Sequence, residues 1–207
     1  MFMRIQNRLL LPFIASFFIS CGDTTTSSPL IEIESIHFDE TNISIYATDL
    51  EKELTATVVY DDNSTANGAA DMLWSSSDTN VVYAYGATVV AAGNGGDANI
   101  TISYADTFED TTSVHVKELQ SINYTDINIS DIGTPQVVYF SGNFENNETN
   151  ITMKNNIIWT IDANATLSDI NETQLTITVD YNTTSITLFT TLFSGTENEV
   201  DFNKTFY

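Results

Sequence analysis

Ten asparagines in this chain share one surrounding: a carboxylate two residues before and a hydroxyl two residues after. They are Asn42 (after Glu40), Asn63 (Asp61), Asn99 (Asp97), Asn128 (Asp126), Asn147 (Glu145), Asn150 (Glu148), Asn164 (Asp162), Asn171 (Asp169), Asn182 (Asp180) and Asn203 (Asp201). Eleven of the twenty asparagines lie in Asn-x-Ser/Thr, a triplet whose amide nitrogen can accept a sugar. Only Asn123, preceded by Ser121, lacks the acid. At this acid content, chance supplies about one or two such acids among the triplets. Strand alternation would also line up acid, amide and hydroxyl on one wet face. Alternation has no direction, however, and the reversed order occurs once, at Ser141-Gly142-Asn143-Phe144-Glu145. Ten against one rejects strand alternation as the source of the pattern.

The other reactive residue types are thinly spread. His37 and His115 are the only histidines, and His115 sits in a strand pattern with no ligand-spaced partner, so both read as surface or edge side chains. Ser75, Ser76 and Ser77 lack a Gly-x-Ser-x-Gly elbow and a spaced histidine. Gly93-Asn94-Gly95-Gly96 has no following helix or lysine, so it reads as a turn and not a phosphate cradle. Paired acids such as Asp61-Asp62 and Glu109-Asp110 fall in turns and read as solvated. They leave Ca²⁺ at a joint between two units as the one metal reading, without an EF-hand loop. No catalytic residue, no metal ligand set and no cofactor is expected, which disfavours a hydrolase built on a β-sandwich.

Six Lys and Arg stand against 28 Asp and Glu. Arg4 and Arg8 precede an apolar run, Leu9 to Ile19, that is too short to span a bilayer comfortably. Removing that segment leaves four lysines and a net charge of −24. Such a charge repels nucleic acid and anionic membrane surfaces.

The elements that must carry the asparagines are strands. Ile31, Ile33, Ile36 and Phe38 mark an opening strand, and Ile43 to Tyr46 continues along a sheet edge. Leu54, Ala56, Val58 and Tyr60 alternate with polar positions, and Asp61 to Ser64 supplies a turn. Met72-Leu73-Trp74, Val81 to Tyr85, Thr88 to Ala91, Asn99 to Tyr104 and Thr111 to Val116 complete about seven short strands, the pattern of a sandwich. Trp74, able to bury about 150–250 Å², is the expected core centre. The pattern then repeats. Ser35-Ile36 recurs as Ser121-Ile122, Trp74 as Trp159, and Ile100-Thr101-Ile102 as Ile186-Thr187-Leu188, at offsets of 85 or 86. A duplicated domain follows, with Trp159 as its core indole and Glu118-Leu119 as the linker of a short, stiff pair. Cys21 is the only cysteine, so each sandwich is expected to rest on its own core.

Three resemblances sharpen these expectations. Phe18-Ile19-Ser20-Cys21 resembles the bacterial lipoprotein signal, which implies cleavage before Cys21 and lipidation (including palmitate) of that cysteine, and Gly22 in place of an acid after it implies sorting to the outer membrane. The Tyr-Asp-Asp-Asn-Ser turn, Trp74-Ser75-Ser76-Ser77-Asp78, the strand from Gly86 to Ala91 and the Gly-rich turn before Ala98 resemble bacterial Ig-like domains of group 2, known from exported adhesins. The acid-bearing triplets resemble the acceptor motif of bacterial N-glycosylation. That resemblance implies an oligosaccharyltransferase as modifying enzyme, which holds the acid with a basic side chain while the hydroxyl orients the amide. Asn63 and Asn147, in turns, are the favoured sites, whereas Asn99 and Asn128 are expected in strands.

The expected organisation is a signal peptide over 1–20, a lipidated tether over 21–30 and Ig-like domains over 31–117 and 118–207. The expected fold class is all-β, two tandem sandwiches. The function that follows is a non-catalytic envelope lipoprotein held to the membrane by lipid. It would act as a surface spacer or adhesion module with a protein or carbohydrate ligand. A periplasm-facing accessory of an envelope complex is the alternative.

Overall fold

The computed structural model describes residues 31–49, 51–68, 72–150, 152–154 and 156–207. The expected signal peptide, Cys21 and the tether lie outside the described residues. Within the described residues the chain is all-β, and its one helical turn is of the 3₁₀ type, Glu145–Asn147.

The first half holds ten strands: β1 (Ile33–Phe38), β2 (Ile43–Tyr46), β3 (Lys52–Glu53), β4 (Ala56–Tyr60), β5 (Thr65–Asn67), β6 (Leu73–Ser76), β7 (Val82–Tyr85), β8 (Thr88–Ala91), β9 (Gly96–Tyr104) and β10 (Phe108–Lys117). They form sheets ordered β1-β4-β5, β2-β10-β9-β6 and β3-β8-β7. The second half holds β11 (Leu119–Tyr124), β12 (Pro135–Phe144), β13 (Thr149–Asn150), β14 (Ile157–Ile161), β15 (Ala165–Ser168), β16 (Gln174–Val179), β17 (Ile186–Leu192) and β18 (Val200–Phe206). Their sheets run β11-β12-β16-β15, with β13 also on β12, and β14-β17-β18.

The pairing repeats along with the sequence. β1 meets β4 as β11 meets β12, and a register shift falls between Ile33 and Ser35 in one and between Leu119 and Ser121 in the other. β6, β9 and β10 correspond to β14, β17 and β18. The difference lies in β12, whose first half pairs β16 while its second half pairs β11, so a single long strand serves two neighbours.

Period-two patterning decides which faces go inward. In β9, Ala98, Ile100 and Ile102 are buried while Asp97 and Asn99 point to solvent. In β10, Thr112, Val114 and Val116 are buried, which turns Ser113, His115 and Lys117 outward. β2 is an edge strand as expected, but of the opposite sheet. Residues 39–42 carry the chain across, Asn42 takes φ +56°, and Ile43–Tyr46 lies parallel to Val114–Lys117.

Two expectations about the core are corrected. Trp74 and Trp159 are half-buried side chains that pack against the core and do not occupy its centre. The fully buried side chains include Phe144 and the aliphatic Ile100, Ile102, Leu175, Ile177 and Leu188. An indole is so large that it is rarely buried in full, and each lies instead on an aromatic edge of the core. Trp74 meets Phe38 edge-on at 5.5 Å, and Trp159 meets the equivalent Tyr124 at 6.2 Å and Phe140 at 4.5 Å. The second correction is that the two halves do not keep separate cores. Leu119, Phe144 and Met153 are buried at the junction and join both interiors in one apolar cluster. The connector between β10 and β11 is the single residue Glu118.

Candidate functional site

The densest charged constellation lies at that junction. Because β10 ends there, its outward cations meet the turn that follows β12. His115 Nδ1 bonds Asp97 Oδ1 at 2.7 Å from the neighbouring strand, and its Nε2 bonds Glu145 of the second half. Lys117 Nζ donates to Glu148 and sits 4.8 Å from the centre of the Tyr46 ring, whose hydroxyl donates to the same Glu148 oxygen at 3.1 Å. Tyr46 also packs edge-on against Phe144 at 4.6 Å. Local charge follows from these contacts. The hydrogen bond to Glu145, helped by Asp97, holds the His115 pKa above its ordinary value against the opposing effect of burial. Glu148 raises Lys117, while Lys117 and then Tyr46 lower Glu148.

Backbone and amide contacts close the rest of the joint. Asn94 binds Leu119 twice, accepting from its N–H at 2.9 Å and donating to its carbonyl at 3.2 Å. Asn198 Nδ2 donates to the carbonyls of Asn80 and Ala92 at 3.0 and 2.9 Å. The Lys154 N–H reaches the Thr48 carbonyl at 3.0 Å. Gly95, at φ +121°, lies so close to the connector that an added Cβ would stand 2.9 Å from Glu118 Cβ. The Gly-rich turn is therefore a turn, as read from sequence, and also the seat on which the second half rests.

This arrangement clasps the two halves together. Both His115 nitrogens are occupied by carboxylates, so the ring has no free lone pair with which to act as a base. Two of the serines after Trp74 hold backbone: Ser76 Oγ exchanges bonds with Asp78 in its own turn, and Ser77 Oγ accepts from the N–H of Asn99 on β9 at 2.9 Å. Among the described residues no group of three His, Cys, Asp or Glu side chains is arranged to hold a metal ion. At the joint, Asp97 and Glu145 pair with His115, and Glu148 pairs with Lys117. An open groove of about 560 Å³ beside β11 and β12 is lined by uncharged residues, among them Asn123, Tyr124 and Tyr139. It opens where β12 leaves β11 for β16.

The ten asparagines are dispersed over both halves. Asn42, Asn63, Asn99, Asn128, Asn147, Asn171, Asn182 and Asn203 are exposed, and Asn150 and Asn164 are half-buried. Asn99, Asn150 and Asn203 lie on β9, β13 and β18. Asn63, at φ +64°, occupies the turn between β4 and β5, and Asn147, at φ +60°, the 3₁₀ turn. Asn128 corrects the strand expectation: it precedes a turn, and its Oδ1 accepts from the Ser130 N–H at 3.1 Å. Ile127 and Ile129 imitate strand alternation there, but Gln136 folds over the loop and binds the Asn128 backbone at both its N–H and its carbonyl.

The clasp itself was missed in the sequence. Its signal was available, since outward cations at the end of a strand one residue short of the next must face that next unit. All five ion pairs among the described residues end on acids of the asparagine motif: Glu40, Asp97, Asp126, Glu145 and Glu148.

No family model matches the chain. No curated protein matches it either. Among solved structures, domains 4–9 of the surface layer protein SbsC align at 16% identity over 84% of this chain and 31% of that one, with a TM-score of 0.37. Domains 5–6 of the same S-layer protein align at 17% identity over 84% and 97%, TM-score 0.36. Extracellular cadherin domains 1–4 of protocadherin gamma B7 align at 12% identity over 83% and 48%, TM-score 0.32. The chain thus spans about a third of the first of these.

Proposed function

We propose that this chain is a non-catalytic envelope lipoprotein, anchored through lipid on Cys21, whose two Ig-like sandwiches form a surface spacer or adhesion module decorated with N-linked glycan. The observation that carries the spacer reading is the joint: a one-residue connector clasped by His115, Lys117 and their carboxylates. A spacer must transmit position, and a junction packed around Leu119 and Phe144 suits that role. The anchor reading is supported by the apolar run ending at Cys21, and two or more fatty chains would hold the protein to a bilayer durably. The glycan reading is supported by ten acid-bearing triplets and by their predominantly exposed asparagines.

Intact mass of the mature chain from its own host tests the anchor and the glycans together. The expected mass exceeds the polypeptide from Cys21 onward by acyl and sugar increments, and a mass equal to that polypeptide refutes both. Protease treatment of whole cells tests placement. Digestion of the described domains on intact cells supports the surface module, and digestion only after lysis supports the periplasm-facing accessory.

A further inference from the structure

The fold does not treat the ten acceptor motifs alike. Three requirements of the proposed modification can be read at each: an exposed amide, a hydroxyl bonded to that amide, and a carboxylate free to meet a basic side chain of the enzyme. At Asn171 all three coincide. The residue is exposed in the loop between β15 and β16, and its Oδ1 accepts from Thr173 N at 3.0 Å and Thr173 Oγ1 at 3.2 Å. These bonds, with a third from the Gln174 N–H at 3.1 Å, all fall on the amide oxygen and none on Nδ2. Its acid, Asp169, is exposed and makes no ion pair among the described residues; one oxygen accepts from Ser168 Oγ at 3.2 Å. Asn150 has the same contact, with Thr152 Oγ1 at 3.0 Å, but it is half-buried and Glu148 is held by Lys117 and Tyr46. Asn147 is exposed, but Glu145 is held by His115 and only a quarter exposed. Asp126 and Asp97 are paired yet 83% and 80% exposed, so solvent screens those bonds and they withhold little.

We infer that the folded chain presents Asn171 as its ready acceptor and withholds Asn147 and Asn150, whose acids are spent on the joint. The inference rests on the glycan reading above. In the step itself, Asn171 Nδ2 attacks C1 of a lipid-linked, phosphate-activated oligosaccharide. The N–C bond forms as the C1–O bond breaks, the phosphate leaves with the electron pair, and one amide proton passes to base. Asn147 and Asn150 accept sugar only before the two halves close on each other.

The test compares the purified folded chain with a proteolytic digest of the same chain. Each is incubated with a bacterial oligosaccharyltransferase and its lipid-linked donor, and site occupancy is read by peptide mass spectrometry. In the digest, Asn171, Asn147 and Asn150 are all expected to be modified. In the folded chain Asn171 keeps its rate, while Asn147 and Asn150 slow by at least about tenfold. Equal rates at Asn147 or Asn150 in the two samples, or loss of Asn171 on folding, overturn the inference and leave the glycan reading standing. A digest with no site modified overturns the glycan reading itself.

Discussion

Truncating Phe144 tests whether the two sandwiches are one structure. The ring is fully buried, meets Tyr46 of the first half at 4.6 Å, and belongs to a residue whose N–H is tied to the Glu148 carbonyl at 2.7 Å. A phenylalanine side chain of this kind removes about 150–250 Å² from water, roughly 4–6 kcal/mol gross. Phe144→Ala is therefore expected to cost about 3–5 kcal/mol, because the rigid layers around the cavity relax only in part. In a chain of this size each kcal/mol moves Tm by about 2–4 °C, so the midpoint should fall by roughly 6–20 °C. Urea unfolding followed by tryptophan fluorescence is the second readout, since Trp74 reports the first half and Trp159 the second. Both halves should lose stability although the substitution lies in one. Tyr85→Ala, at a side chain 82% exposed, is the control and should stay within about 0.5 kcal/mol of the parent. A Phe144→Ala midpoint no lower than that of the control would refute the shared core.

Three further outcomes follow from the joint. His115 has a raised pKa in the fold, so its clasp stabilises fully below its ordinary value near 6.5 and weakens as pH climbs through the folded value; the stability gap between the parent and His115→Gln should narrow above about pH 6.5 in urea titrations at stepped pH. Gly95→Ala combines a left-handed backbone with a close approach to Glu118, and it should cost about 1–3 kcal/mol by thermal melt, whereas Gly133→Ala, with open space around it, should cost less. Thr48 is fully buried and its hydroxyl lacks a hydrogen-bond partner, so Thr48→Val should stabilise by about 1 kcal/mol, read as a higher urea midpoint at unchanged slope.

Strands were legible wherever one face alone is buried. β9, β10 and β17 alternate cleanly, and the offset between Trp74 and Trp159 located the second copy without help from its loops. What alternation does not encode is which sheet an edge strand joins, so the crossing of Ile43–Tyr46 to β10 was beyond reach. Nor does it distinguish a strand from a loop that a side chain imitates, as Gln136 does around Asn128. Burial of the indoles was overestimated because so large a side chain is rarely hidden in full. The candidate acceptors could be read from short-range spacing alone. Their acids' cations could not, since Lys117 and Glu148 lie far apart in sequence and meet only after both halves have folded.

The parallel run of Ile43–Tyr46 beside Val114–Lys117 has a mechanical consequence. Tension entering β2 from the chain's leading side and leaving β10 toward Leu119 drags the two strands in opposite senses along their length. Their rungs then carry the load together in shear, where an antiparallel hairpin would unzip one rung after another. A chain moored at one end and gripped at the other would load this short patch in shear.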